Sequence, residues 1–149
     1  LAVIFLKPFT GSYFESAGLI DLNIVDGTGI DIEKVRTIAA AAPKTIVAVN
    51  IFLPWLLGNV ELLADALVAG FETREEAVMD VVTGRFAPEG RLPITLPIDD
   101  AAIAVDDAGD CASPNDVPGY DKERYMDGRP YVYVDAAGNR YERAFGLTY

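Results

Sequence analysis

The residues best suited to acid–base chemistry lie in one loop that follows the first apolar segment of the chain. Glu15 and Asp21 fall within "TGSYFESAGLIDLN" (residues 10–23), and the aromatic pair Tyr13 and Phe14 directly precedes Glu15. Aromatic surface beside a carboxyl group desolvates it, which raises its pKa toward general-acid use. Glu15 is therefore a candidate general acid/base, although the residues alone favour the interpretation that it is a solvated loop carboxylate.

The absence of histidine narrows the possible chemistry. The sequence contains no His and a single cysteine, Cys111. Ser-His-Asp and Cys-His catalysis within this chain is thereby excluded, as are most zinc and transition-metal sites. Cys111 lies in an acidic loop without basic neighbours that would lower its pKa, so we interpret it as a bystander thiol. We predict no metal site and no cofactor.

Three other motifs suggest sites, but each favours a structural interpretation. "VDGTGID" (residues 25–31) lacks the third glycine and the lysine of a phosphate loop, and it leads into Asp31 at a helix start. Trp55 could stack on a sugar, but its leucine neighbours favour core packing. The aspartates between Asp99 and Asp110 lack the order of a calcium loop, which favours a solvated acidic segment.

Composition excludes several classes of partner. The net charge of −11 argues against nucleic acid and anionic membrane surfaces, because phosphate binding needs clustered Lys and Arg. No apolar run reaches the length of about 18 residues that a membrane helix needs. Hydrophobic residues make up 51% of the 149-residue chain, as in a globular protein. We expect a soluble protein, secreted or cytoplasmic.

Predicted strands and helices, which must position the loop carboxylates, alternate regularly along the chain. Apolar strand candidates are "LAVIFL" (residues 1–6), "KTIVAVNIFLP" (44–54) and "DALVAGF" (65–71), and we expect the first to be buried on both faces. Helix candidates follow each of them. This alternation predicts an α/β fold, a partial three-layer sandwich with a mainly parallel sheet and right-handed crossovers. Loops at the carboxyl ends of such strands are where α/β proteins bind ligands.

The helix boundaries rest on local signals. Asp31 is a predicted N-cap and Pro43 a predicted stop for the first helix. Pro54 is predicted at the first position of a short helix. Thr73 and Glu76 have the spacing of a capping box for the third helix, and Gly84 stands where a left-handed C-terminal glycine belongs.

The second half of the chain has the character of loops and one hairpin. "RPYVYVDAAGNRYERAF" (residues 129–145) predicts a β-hairpin with its turn at Asp135 to Asn139. "RLPITLP" (91–97) predicts an extended segment, and Pro93 within it favours a sheet edge or an irregular strand. We expect Arg91 to bind a neighbouring carboxylate or carbonyl.

The combined motifs resemble a known family. The stretch "DALVAGFETREEAVMDVVTGRFAPEGRLPITLP" (residues 65–97) is similar to the C-terminal α/β sandwich domain of glycoside hydrolase family 3, the family of many β-glucosidases and β-xylosidases. Gly90-Arg91-Leu92-Pro93, followed by Thr95 and Pro97, is the most specific part. "TIVAVNIFLPWLL" upstream, then "NDVPGYD" and the terminal "FGLTY" downstream, extend the resemblance over nearly the whole chain.

The resemblance implies a retaining, exo-acting hydrolysis of terminal β-linked sugars at an active site shared by two domains. A preceding barrel domain would supply the nucleophile, and the sandwich domain would supply the acid/base. "ESAGLIDL" matches the family's acid/base loop at Glu15 and Gly18 and roughly at Asp21, although the Asp-Arg pair of that loop is not kept. The implied partners are a β-linked glycoside and the N-terminal barrel of the same enzyme.

Domain organisation follows from the same resemblance. We predict that residues 1–149 form a single sandwich domain that lacks its first strands and the catalytic barrel, because the chain starts within an apolar strand. Such a chain would hold no nucleophile and be inactive alone. The alternative is a non-catalytic α/β module that binds carbohydrate or protein. A flavodoxin-like nucleotide binder is a third hypothesis, disfavoured by the weak glycine loop.

Overall fold

The computed structural model describes residues 1–9, 22–25, 28–102 and 130–148. The chain divides into two compact units. Unit 1 comprises residues 1–53 and 59–87, and unit 2 comprises residues 54–58 and 88–149. In the described ranges, no helix is long and apolar enough to cross a membrane.

Unit 1 contains a parallel sheet of three strands, as the alternating pattern predicts. The strands are β1 (Ala2–Leu6), β2 (Thr45–Asn50) and β3 (Ala66–Gly70), in the order β1-β2-β3. Leu6 pairs with Val49, and Asn50 pairs with Gly70, so the three strands end at the same edge. The α/β fold class is confirmed as part of a sandwich.

Burial along the strands agrees with their order in the sheet. The central strand β2 buries Val47, Ala48 and Val49, as a run rich in β-branched residues at the middle of a sheet should. β1 buries Ile4 and Leu6, but the side chain of Phe5 between them is 39% exposed. The prediction that β1 is buried on both faces is therefore wrong, because its alternate residues face a less covered side of the sheet.

The first helix forms as predicted. Helix α1 (Ile32–Ala41) has Asp31 as its N-cap, whose carboxylate accepts a hydrogen bond from the Lys34 N–H at 3.0 Å. Its C-cap is Ala42, immediately before Pro43, which has no N–H to continue the helix. Val35 is the buried residue of α1 and lies on the apolar side of this amphipathic helix.

The two later helices begin differently from the prediction. Helix α2 (Gly58–Glu61) starts four residues after Pro54, so Pro54 does not open it. Trp55 and Leu57 are both fully buried, a spacing of two that belongs to extended backbone instead of a helical turn. Helix α3 (Glu75–Val82) has Arg74 as its N-cap without a side-chain cap, so the capping box of Thr73 and Glu76 is wrong. Gly84 adopts φ 72°, as predicted for the end of α3.

Unit 2 is held together by extended segments. The backbone of Leu92 exchanges hydrogen bonds with Phe145 and Ala144, each at 2.8 Å. Leu96 donates its N–H to the Tyr141 carbonyl and accepts from the Tyr133 N–H, each at 2.9 Å. The stretch 91–97 is thus extended and paired but irregular, as Pro93 predicts.

The predicted C-terminal hairpin is present as isolated bridges. Val134 pairs antiparallel with Arg140, and the turn between them is closed by Asp135, whose carboxylate accepts from the N–H groups of Ala137 and Asn139. Partial burial raises the pKa of Asp135, but donation from the Asn139 amide and from these backbone groups outweighs it and lowers the value. The turn therefore lies where the sequence predicts it.

Candidate functional site

A cleft opens in unit 1 at the carboxyl ends of the three strands. Its volume is about 330 Å³, within the range of small-ligand sites. Its polar lining comes from residues at or just after the ends of the strands and from the start of α3: Lys7, Asn50, Glu72, Thr73, Arg74, Glu75 and Glu76. The cleft therefore lies at the edge where α/β proteins place ligands.

Asn50 and Glu72 form a polar pair in this cleft that is joined by two hydrogen bonds. The Asn50 Oδ1 atom accepts a hydrogen bond from the Glu72 backbone N–H at 2.9 Å, and Nδ2 donates to Glu72 Oε1 at 2.7 Å. Asn50 is the last residue of β2, and Glu72 is the second residue after β3. A single amide thus fixes both the backbone and the carboxylate of Glu72.

The turn between β3 and α3 holds Glu72 in an unusual conformation. Glu72 has φ 52°, in the left-handed region that favours glycine. The Phe71 N–H donates to Thr73 Oγ1 at 3.2 Å, and the Gly70 carbonyl accepts from the Ile51 N–H at 2.6 Å. These two contacts hold the residues next to Glu72 in the turn. The first of them uses the Thr73 hydroxyl, which a capping box would have needed.

The remaining lining of the cleft mixes charge with an apolar wall. Glu75 and Glu76 lie in the first turn of α3, where carboxylates are favoured by the helix dipole. Lys7 and Arg74 add two cations. The apolar side chains of the lining are buried except for that of Phe5, which is the exposed residue of β1. The cleft can thus offer donors, acceptors and apolar surface to one ligand.

The predicted acid/base candidate belongs to the loop that follows β1. Glu15 and Asp21 lie outside the described residues, as do Tyr13, Phe14 and Gly18. Lys7, which lines the cleft, is the residue that follows β1, and the chain leads from there toward residue 10. Glu15 therefore stays a prediction.

Trp55 and the described part of the glycine-containing segment 25–31 have the structural roles that the sequence favours. Gly29 adopts φ 79°, and the buried Thr28 hydroxyl donates to the Ile24 carbonyl at 2.7 Å, so Thr28 and Gly29 lie in a turn before the Asp31 cap, while Asp26 and Gly27 lie outside the described residues. Trp55 is 0% exposed, so it packs in the interior and presents no stacking surface. Its indole Nε1 has no hydrogen-bond partner in the described ranges.

The described part of the acidic segment is its start, from Asp99 to Ala102. Asp99 accepts from the Ala102 N–H at 3.0 Å and precedes a 3₁₀ turn over Asp100–Ala102. The rest of the acidic segment to Asp110, and Cys111, lie outside the described residues. Within the described ranges, His, Cys, Asp and Glu side chains form no group of three or more that could hold a metal ion.

Sequence reasoning missed the Asn50–Glu72 pair. The available signal was a single asparagine within the apolar run of residues 44–54 and a polar "ET" directly after the third predicted strand, two positions that the parallel order brings to one edge. Arg91 was predicted to bind a carbonyl or carboxylate, and its guanidinium donates to the Gly90 carbonyl at 3.2 Å.

Comparisons with known proteins cover almost the whole chain. The chain matches the family described as "Glycosyl hydrolase family 3 C-terminal domain" over residues 2–149. It is also 31% identical over 157 residues to a protein of Neosartorya fischeri named "Probable beta-glucosidase L". That alignment covers 99% of this chain and 20% of the relative, so the chain spans about a fifth of the relative's length. Because the family match covers almost every residue, the chain belongs to the glycosyl hydrolase family 3 C-terminal domain family.

Proposed function

We propose that this chain is the C-terminal domain portion of a retaining, exo-acting β-glycosidase and that Glu15 is its general acid/base. The observation that supports this most strongly is the family match over residues 2–149. The name of the 31% identical relative is consistent with a β-glucosidase-like reaction. The active site would be shared with an N-terminal barrel domain that supplies the nucleophilic carboxylate.

The reaction needs two carboxyl groups with different tasks. The barrel carboxylate would attack the anomeric carbon, while the protonated Glu15 would donate its proton to the leaving glycosidic oxygen. The C–O bond to the leaving group breaks, and a covalent glycosyl-enzyme forms. Glu15, now ionised, would then take a proton from water as the water attacks the anomeric carbon and releases the sugar with retained configuration. A separation of about 5 Å between the two groups suits this sequence of steps.

The position of the end of β1, from which the chain continues toward residue 10, is consistent with that role. The chain leaves β1 at the edge where the cleft lies, and Lys7 on that path lines the cleft. Two chain segments that meet at such an edge can place two carboxylates on opposite sides of one substrate.

The test is a Glu15→Gln change in the intact enzyme, with Glu33→Gln as the matched control. Glu33 lies in the first turn of α1, its side chain is 81% exposed, and it is not among the residues that line the cleft. Turnover of substrates with poor leaving groups should fall much more than turnover of activated aryl glycosides, because only poor leaving groups need protonation. Equal losses for both substrate types would remove Glu15 from this role, and Glu33→Gln should change neither.

The isolated 149-residue chain gives a second test. Without a nucleophile it should leave aryl β-glycosides at the background rate of hydrolysis. Turnover well above background would contradict the shared active site. Binding of glycosides without turnover by the intact polypeptide would instead favour the alternative function, a non-catalytic carbohydrate-binding module.

A further inference from the structure

We infer that Glu72, held by Asn50, is a binding residue for sugar hydroxyl groups, in the cleft at the carboxyl ends of β1, β2 and β3. This inference rests on the proposed glycosidase function and names a second carboxylate of its site.

The geometry makes Glu72 an acceptor. Asn50 Nδ2 donates to Oε1 at 2.7 Å, so this oxygen is engaged as an acceptor and the side chain is oriented. The Oε2 atom accepts no hydrogen bond from a described residue. A carboxylate has about four lone-pair sites, so Glu72 keeps acceptor capacity on a fixed oxygen. Neighbouring hydroxyls of a pyranose are donors that match such a group.

The backbone of Glu72 supports a role beyond folding. A non-glycine residue at φ 52° is unfavourable, and the Asn50 Oδ1 contact to its N–H compensates for this locally. A glycine at this place would fit the turn without strain, but it would carry no carboxylate. The turn thus keeps a carboxylate in the cleft at the expense of an ideal backbone.

The charge of the cleft selects the class of ligand. Glu72, Glu75 and Glu76 oppose two cations, Lys7 and Arg74, which leaves a slight negative excess that disfavours phosphates and other anions. The three glutamates also do not form a group that could hold a metal ion. A neutral ligand with many hydroxyls, which donate and accept at once, fits both kinds of side chain.

The apolar wall supplies the other half of sugar recognition. Phe5 lines the cleft and is 39% exposed, whereas the other apolar side chains of the lining, such as Val49 and Val78, are buried, so Phe5 supplies the accessible apolar surface. The C–H faces of a pyranose pack against such apolar and aromatic surface while its hydroxyls point to polar groups. A cleft of about 330 Å³ has room for a sugar ring of one glycoside.

The test measures glycoside binding and turnover by the intact enzyme with Glu72 changed to Gln. The amide keeps the size and one acceptor oxygen but loses the charge. We expect affinity and kcat/KM to fall about ten- to hundredfold, because hydrogen bonds to a charged group are the strong ones. Monodeoxy analogues that lack the bound hydroxyl should lose less than about threefold on the same change.

Two substrate types locate the hydroxyls. An aryl β-glucoside has hydroxyls only on its non-reducing sugar, whereas cellobiose has them on both sugars. Losses on both substrates place Glu72 at the non-reducing sugar, and losses on cellobiose alone place it at the leaving sugar. Both results support the inference. Unchanged constants for every glycoside would overturn it.

Further variants separate binding from folding. Asn50→Ala should weaken binding in the wild-type background but add little to Glu72→Gln, because the two residues act as a unit. Glu72→Gly relieves the strained φ and removes the carboxylate, so it should fold at least as well as Glu72→Gln and bind as weakly. Strong binding by a folded Glu72→Gly enzyme would also overturn the inference.

The outcomes distinguish this inference from the proposed function. An intact enzyme that hydrolyses glycosides normally with Glu72→Gln would contradict only the role of Glu72. An intact protein that neither binds nor hydrolyses any β-glycoside would contradict both. Selective loss on poor leaving groups in Glu15→Gln, with no change in Glu72→Gln, would support the proposed function alone.

Discussion

Thr45 and Asp65 bind each other twice at the amino-terminal edge of the sheet. The Thr45 N–H donates to Asp65 Oδ2, and the Asp65 N–H donates to the Thr45 carbonyl, both at 2.8 Å. Thr45 is the first residue of β2, and Asp65 immediately precedes β3. The Lys44 ammonium also donates to Asp65, at Oδ1. This pair sets the register of β3 on β2 at the edge opposite the cleft.

The Asp65 contacts make stability depend on acid pH. The hydrogen bond from Lys44, followed by that from the Thr45 N–H, lowers the pKa of Asp65 from its ordinary value of 3.8. A carboxylate with a lowered folded-state pKa stabilises the fold above its unfolded pKa, and this stability is lost as pH falls through the folded value. Below about pH 4 the free energy of unfolding should therefore decline with falling pH.

Two variants isolate that contribution in urea unfolding measured at several pH values. Asp65→Asn keeps an acceptor for the Thr45 N–H but cannot titrate, so its decline below pH 4 should be shallower than in the wild type. Lys44→Gln removes the leading cause of the shift and should give an intermediate slope. Identical slopes for all three chains would contradict the assignment.

The N-cap of α1 should make a measurable contribution to stability. Asp31→Ala removes the acceptor for the Lys34 N–H and should lower the free energy of unfolding by about 1 kcal/mol. Asp31→Ser keeps a capping oxygen and should recover most of the loss. Thermal or urea unfolding gives the difference, and a loss of the same size for the serine variant would show that capping is not the cause.

The contrast between α1 and α3 explains which parts of the fold the sequence can predict. The strands and their parallel order follow from apolar runs, and the Asp31 cap needs only residues within one turn. The capping box failed because the tight turn after β3 brings Thr73 Oγ1 to the Phe71 N–H, two residues upstream. Local spacing does not report that competing donor.

The candidate site shows the same limit more strongly. Asn50 and Glu72 are 22 positions apart, and only the parallel alignment of β2 and β3 brings them together. A glutamate at φ 52° also runs against local preference, which would place glycine there. Departures from local preference are expected at functional positions, because there the needs of a binding or catalytic site determine the residue type more than the backbone conformation does.

Burial of Leu96 should dominate the stability of unit 2. Its side chain is 1% exposed, and its backbone pairs with Tyr133 and Tyr141. Leu96→Ala should lower the free energy of unfolding by about 2–5 kcal/mol, because it removes buried apolar atoms and leaves a cavity. Leu62→Ala is the matched control, since that side chain is 75% exposed and should change stability by less than about 0.5 kcal/mol. Equal effects in denaturant unfolding would contradict the predicted core.

Two positions share a left-handed backbone conformation, but one carries glycine and the other alanine. Gly84, after α3, and Ala144, in the C-terminal turn, both have φ 72°. Left-handed backbone costs a residue with a Cβ about 1–2 kcal/mol, and glycine nothing comparable. A Cβ added at Gly84 would meet no atom within 4 Å, so backbone strain is the only expected penalty there.

Reciprocal substitutions should therefore shift stability in opposite directions. Gly84→Ala should lower the free energy of unfolding by about 1 kcal/mol, and Ala144→Gly should raise it by up to about 1 kcal/mol. Gly90→Ala is the control, because Gly90 has open space and no left-handed φ, so alanine should be neutral or slightly stabilising there. Urea unfolding measures all three changes. A destabilised Ala144→Gly chain would mean that the turn from Glu142 to Phe145 depends on the alanine side chain and not on its backbone angle.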